Sequence, residues 1–131
     1  MKIVKQLSLF LENKPGTLAA VCRALADENI NIQAISVSDA VDHAVVRLVV
    51  NDPRRAVHLL GERGVLVVER NVLMIECRNQ PGMLATTARK LATNKINIEY
   101  AYAASLPNAP TGAMILRVDN VKKARRILKG N

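Results

Sequence analysis

The sequence predicts an α+β protein built from two tandem copies of one β-α-β-β-α-β unit, the second copy lacking its final strand. Three observations predict it. The chain repeats itself, each copy shows the same succession of strand-like and helix-like patterning, and the second copy runs out of residues before a last strand. Asn13-Lys14-Pro15-Gly16-Thr17-Leu18-Ala19 returns as Asn79-Gln80-Pro81-Gly82-Met83-Leu84-Ala85, and Ile30-Asn31-Ile32 returns as Ile96-Asn97-Ile98. Ala44 to Val49 correspond to Ala113 to Val118, and Arg54-Arg55-Ala56 to Lys122-Lys123-Ala124. A repeat of this extent means two copies of one folding unit, placed at 1–69 and 70–131.

In the first copy, residues 3–11 are rich in strand formers and stop at Pro15-Gly16. Leu18, Val21, Cys22 and Leu25 then fall on one helical face, and Asn29 ends that helix. Residues 31–38 and 44–50 read as strands joined by a turn at Asp39 to His43. Pro53 suits the first turn of a second helix with Ala56, Val57, Leu59 and Leu60 as its apolar stripe. Gly61 or Gly64 ends it, and 65–68 is a short fourth strand. The order is the ferredoxin-like split unit.

In the second copy, strands are expected at 72–77, 97–104 and 112–119, with helices at 82–94 and 121–129. Gly130 and Asn131 leave no room for a fourth strand, which would strand the backbone groups of 72–77. Because only Glu69-Arg70-Asn71 separate 65–68 from 72–77, a hairpin is expected there, making one sheet of seven strands. Ser105 to Gly112 lengthen the second copy's β-β connection into a surface loop.

The chain of 131 residues is half hydrophobic, with few Gly and Pro, so it is globular. A lone unit of this size is marginal, so the copies should pack on each other or on a second chain. No secretory signal is expected, since Lys5 interrupts the only early apolar stretch. No apolar run approaches a membrane span. Cys22 and Cys77 lack metal or redox spacing, which together with the missing signal suggests a reduced, cytoplasmic protein with small buried thiols. His43 and His58 have no metal-ligand partner at standard spacing, and no Ser lies in a G-x-S-x-G context. No catalytic residue, cofactor or metal site is therefore assigned.

The net charge of +8 is unevenly shared. Residues 1–68 carry eight Lys/Arg and seven Asp/Glu, residues 69–131 eleven and four, so almost all the excess is in the second copy. Nucleic acid is the rival this raises, because RNA-recognition domains share the topology. Single-strand readers stack bases on exposed aromatics, however, and this chain has only Phe10, Tyr100 and Tyr102. Nucleic acid is thus the weaker alternative.

Each copy places Asn-x-Pro-Gly between its first strand and first helix. Proline primes a helix start and glycine permits close backbone approach. The first helical amides lack internal partners and lie at the positive end of the dipole. Such a loop can hold a carboxylate on the amides of Gly16, Thr17 and Leu18, or of Gly82, Met83 and Leu84. The side chain of Asn13 or Asn79 then faces the ammonium or amide of the same ligand.

The β-α-β-β-α-β order, the Asn-x-Pro-Gly-x-Leu loop and the Ile-Asn-Ile strand start resemble the ACT domain, the small regulatory module of amino-acid-metabolic enzymes. The chain as a whole resembles the stand-alone tandem ACT proteins of bacteria and archaea. The resemblance implies amino-acid binding where two ACT units meet, by the loop of one and the second strand's start in its neighbour. It places Asn13, Gly16, Thr17, Leu18, Asn31 and Ile32 in one site, and Asn79, Gly82, Met83, Leu84, Asn97 and Ile98 in the other. Many family members have Asp where Asn13 and Asn79 stand, so the hold on an ammonium is weaker here. The first copy is expected to be the more competent, with Glu12 favouring an ammonium and Arg78 opposing one.

The expected function is therefore a non-catalytic, cytoplasmic sensor of a small amino acid or related metabolite. The expected partners are that ligand and a second copy of the chain, a homodimer through the outer strands 31–38 and 97–104. The alternative is a regulatory subunit docking on a separate metabolic enzyme, as small ACT subunits do for acetolactate synthase.

Overall fold

The computed structural model describes residues 1–129. Its elements run β1 (Lys2–Glu12), α1 (Thr17–Asp27), β2 (Ile32–Ala40), β3 (His43–Val50), α2 (Pro53–Glu62), β4 (Leu66–Arg78), α3 (Met83–Thr93), β5 (Ile98–Ala104), β6 (Thr111–Val118) and α4 (Val121–Lys129). The α+β architecture of repeated β-α-β-β-α units is the one the sequence predicts. Gly130 and Asn131, on which the expectation of no further strand rests, lie outside the described residues.

The chain folds as two compact units, one of Lys5–Arg70 and one of Met1–Val4 with the chain from Asn71 onward. In the first, the strands lie in the order β2-β3-β1-β4. Leu7, Leu9 and Leu11 of β1 sit opposite Leu48, Val46 and Ala44 of β3. These alternate residues turn to the helices and form a core with Val21, Leu25, Ile30, Ala56 and Leu60. Burying each such Leu contributes about 1.5–3 kcal/mol, which makes this apolar face the main support of the unit.

The helix ends follow from local chemistry. Asp52 caps α2 by accepting from the Arg55 amide at 3.2 Å, with Pro53 in the first turn. At the end of α1, Asn29 takes φ 59°, and the amides of Asn29 and Ile30 bond Ala26 O and Leu25 O at 2.9 Å each. This is a left-handed helix stop with its customary apolar contact, Ile30 folding back beside Leu25. Lys95 with φ 59° and Ile96 repeat it after α3, and Gly64 with φ 75° and Val65 repeat it after α2.

In the second unit β4 lies between β6 and β1, with β5 outside β6. Leu73, Leu116 and Ala101 align across β4, β6 and β5. The core is Leu73, Leu91, Ile96, Met114, Leu116, Val118 and Ala124. Ile3 packs against it, and Met1–Val4 at the start of β1 belong to this unit.

The expected hairpin is not formed. Residues 66–78 are one continuous strand, and there are six strands, not seven, among the described residues. The segment Glu69-Arg70-Asn71 has no glycine to take up the positive φ that a tight hairpin favours, and all three residues stay extended. Residues 66–70 close the first unit's sheet and the remainder opens the second's.

Candidate functional site

Both loops lead into a helix start as expected, and each turns on a glycine in the left-handed region. Gly16 has φ 91° and ψ −18°, Gly82 φ 89° and ψ −6°, and no side chain caps either helix. A residue bearing Cβ would be strained there, although the space around both glycines is open. In the first loop the Thr17 amide makes only a long bond to Lys14 O at 3.4 Å, and Ala20 N bonds Gly16 O at 3.0 Å. Among the described residues no hydrogen bond engages the amides of Leu18 and Ala19 or the side chain of Asn13. Asn13 to Gly16 are exposed, and Thr17 and Leu18 are half-buried.

The second loop is differently committed. Asn79 gives both amide hydrogens to the inserted segment, bonding Leu106 O at 3.2 Å and Ala109 O at 2.9 Å. Its backbone amide bonds Pro110 O at 3.0 Å. Gln80 Nε2 lies 3.5 Å from Met83 Sδ, and Thr87 Oγ1 donates to Met83 O at 3.1 Å. The insertion thus uses the donors that Asn79 would offer a ligand, while Asn13 keeps its own.

Glu12 is not the open charge the sequence suggests. Its Oε2 is 2.9 Å from Lys14 Nζ. Hydrogen bonding and attraction from Lys14, with a lesser pull from His43, hold its carboxyl below the ordinary glutamate value. Lys14 largely answers Glu12 before any ammonium arrives. Arg78 makes no ion pair among the described residues.

Asn31 and Asn97 are exposed just ahead of β2 and β5, and each backbone carbonyl accepts from the residue just past the neighbouring strand, Asn51 N after β3 at 3.1 Å and Asp119 N after β6 at 3.3 Å. Asn31 N also bonds Asn51 Oδ1 at 2.9 Å. Ile32 and Ile98 are half-buried, and each packs against its own unit's core. Sequence patterning misses that β2 and β5 each begin with a bulge, between Ile32 and Ala34 and between Ile98 and Tyr100. The extra residues, Gln33 and Glu99, leave the ladder at equivalent positions, and a bulge has no signal in composition.

Within one unit the loop and the strand start are not brought together. Glu12 pairs with His43, which pairs with Ala40, so the loop lies at the Ala40 end of β2. Ile32 is eight residues back, about 27 Å at about 3.4 Å per residue. The second unit repeats this, since Glu76 and Ala104 share Ala113 as partner and Ile98 is at the far end of β5. The loop and the strand start of a unit therefore lie at opposite ends of its strands.

A surface hollow of about 410 Å³ lies elsewhere, lined by Glu28, Ile30, Arg54, Arg55, His58, Leu59 and Glu62, and includes none of the expected site residues. Its charges are mostly answered locally, Arg55 to Glu28 at 3.0 Å and His58 to Glu62 at 2.9 Å. Both cysteines are free and half-buried. Among the described residues no cluster of His, Cys, Asp and Glu has the geometry to hold a metal, and no helix is long and apolar enough to cross a membrane.

Comparison with known proteins agrees with this architecture. A crystal structure of a protein from Bacteroides thetaiotaomicron is 35% identical, with a TM-score of 0.91 over 98% of this chain and 88% of that one. The ligand-free regulatory subunit of aspartate kinase from Thermus thermophilus shares the fold at 19% identity, with a TM-score of 0.71 over 99% and 97%. The corresponding subunit from Thermus flavus does so at 18%, with a TM-score of 0.62 over 99% and 96%. None of the curated proteins compared matches the chain. The family model for the ACT domain pair spans residues 1–131, and the chain belongs to that family.

Proposed function

We propose that this ACT pair is a non-catalytic regulatory protein that binds a small amino acid or a closely related metabolite. The observation that supports it best is the uncapped Asn-x-Pro-Gly helix start, built twice with a left-handed glycine. In the first copy, Gly16, Thr17 and Leu18 present backbone amides to a carboxylate, and Asn13 has both amide hydrogens and its carbonyl available. Such a site reads the shared core of an amino acid, because main-chain donors at a helix start bind anions without regard to side chain.

Asn31 in the first copy and Asn97 in the second would complete a loop supplied by another ACT unit. The half-sites of a single unit stand about 27 Å apart along the strands, so neither unit closes a site on its own. The reading therefore includes a homodimer, for which the outer strand β2 offers exposed Ile35 and Val37. The second loop, Asn79, Gly82, Met83 and Leu84, is the weaker site because Asn79 is already tied to the insertion.

Thermal unfolding against each of the twenty amino acids tests this. A ligand at a hundred times its dissociation constant adds about 2.7 kcal/mol, a shift of several degrees for a chain of this size. A selective shift that is lost in Asn13→Ala and retained in Asn79→Ala is expected. No shift with any of the twenty would sink the amino-acid reading, and full binding by a monomer in sedimentation would sink its interface form.

A further inference from the structure

The two copies serve as controls for one another, and their helical layers differ in one property. Helices α1 and α2 mix charges, with Arg23, Arg54 and Arg55 set against Asp27 and Glu62. Helices α3 and α4 carry Arg89 and Lys90, then Lys122, Lys123, Arg125, Arg126 and Lys129, and neither holds an acidic residue. Position by position, Val57, His58 and Gly61 become Arg125, Arg126 and Lys129, while Asp27 and Glu28 become Thr93 and Asn94. Even the caps differ, the carboxylate of Asp52 in α2 giving way to the neutral Asn120 in α4. Both copies reach the same fold, so folding does not require this charge.

Stability does not explain it either. Val121, Ala124, Ile127 and Leu128 face the core, which leaves Lys122, Arg125, Arg126 and Lys129 on the outer face, all exposed. They form a stripe at i, i+3, i+4 and i+7, the spacings at which like charges on a helix repel. Arg126 and Lys129 at least sit in the last turn, where the helix dipole favours cations, but Lys122 sits in the first, where it opposes them. Lys123 is relieved by bonding Asn94 O at 3.0 Å, which also brings the start of α4 against the end of α3. Lys95, at that same end, occupies a left-handed position where the first copy has the better tolerated Asn29. Among the described residues none of Lys122, Arg125, Arg126 and Lys129 forms an ion pair.

We propose that the outer face of α3 and α4 is a docking surface for an acidic protein partner. Association would relieve the like-charge repulsion of the free helix, so the partner is recognised by carboxylates set opposite the stripe. A nucleic acid fits less well. Tyr100 and Tyr102, on which bases would stack, pair with Arg117 and Ile115 on the sheet face turned away from the helix-side residues Leu116 and Met114. The cations of α3 and α4 therefore lie on the layer away from the tyrosines, and Arg117 beside Tyr100 is held by Glu99 and Asn71 O, whereas ferredoxin-like readers of single strands use the sheet. The inference is independent of amino-acid binding.

Its test uses the full chain without added amino acid, fluorescein-labelled poly-L-glutamate as probe, and single-stranded and duplex DNA as competing probes. Polyglutamate is expected to bind at low salt and to bind about tenfold more weakly to Lys122→Glu with Arg126→Glu. A control of equal net charge, Lys5→Glu with Arg63→Glu, should bind much as the parent does. The single variant Lys122→Glu should bind less yet melt about 1–3 °C higher, since a carboxylate suits a first helical turn. Equal losses in both charge variants, no binding at low salt, or tighter binding of either DNA would overturn the proposal.

Discussion

The pair Gly16→Ala and Gly61→Ala isolates backbone conformation from packing. A methyl group added at either glycine would meet no atom within 4 Å, so new contact contributes nothing at either site. Gly61 lies inside α2, where alanine is favoured over glycine by about 0.5–1 kcal/mol. Gly16 is held at φ 91°, where an L-residue is disfavoured by about 1–2 kcal/mol. The two substitutions should therefore move stability in opposite directions, separated by about 1.5–3 kcal/mol. At about 3–5 °C per kcal/mol for a chain of this size, the midpoints should differ by roughly 5–15 °C. Urea unfolding followed by circular dichroism checks the free energies, with unchanged slopes confirming that the denatured state is not the cause. If Gly16→Ala proved as stable as the parent, the left-handed start of α1 would be wrong, and with it the open first-turn amides.

The remaining predictions concern the features that distinguish the copies. Asn79→Ala removes two hydrogen bonds to the insertion and should cost about 1–2 kcal/mol, with faster proteolysis between Ser105 and Pro110; Asn13→Ala should change stability by less than about 0.5 kcal/mol. Ile3→Ala should destabilise by about 1–2 kcal/mol and lower hydrogen-exchange protection at Leu73 and Leu116 more than at Leu9 and Leu48, because Ile3 serves the second core. The Glu12 carboxyl should titrate below the ordinary 4.5 in an NMR pH series and move up in Lys14→Ala. Its folded value is depressed, so its contribution is present above the unfolded value and is lost as pH falls through the folded one.

Much of the fold was legible because periodicity reports burial. Leu7, Leu9 and Leu11 alternate as a strand does, and Val21, Ala24 and Leu25 recur as a helix does, so element types follow from local spacing. The repeat then transfers each assignment to a second place. What local spacing does not encode is the neighbour a strand chooses. Ile3 and Leu7 read alike as strand residues, yet one belongs to the second core and the other to the first. The apolar run after Gly64 likewise held no sign that Glu69, Arg70 and Asn71 would continue the strand, since three exposed polar residues suit a turn or an extended segment equally. At the loops, the glycines and the helix starts were readable from Pro-Gly. The use of Asn79 by the insertion was not, because it joins residues about thirty positions apart.

The two copies use equivalent positions differently, and the hydrogen bonds show where they part. These changes in the second unit remove something an amino-acid site would use or add something the fold does not need. Asn79 turns inward to the inserted segment, and the carboxylates that balance Arg23 and Arg55 in the first copy are replaced by Thr93 and Asn94. Cations then accumulate on α4 against the preference of its first turn. The first unit keeps Asn13 unengaged and pairs Arg23 with Asp27 and Arg55 with Glu28. A chain under selection for stability alone would hold both helical layers balanced, because the balanced version exists in the same molecule and folds. On the two proposals above, Asn13→Ala should weaken amino-acid binding and leave polyglutamate binding unchanged, whereas Lys122→Glu should do the reverse.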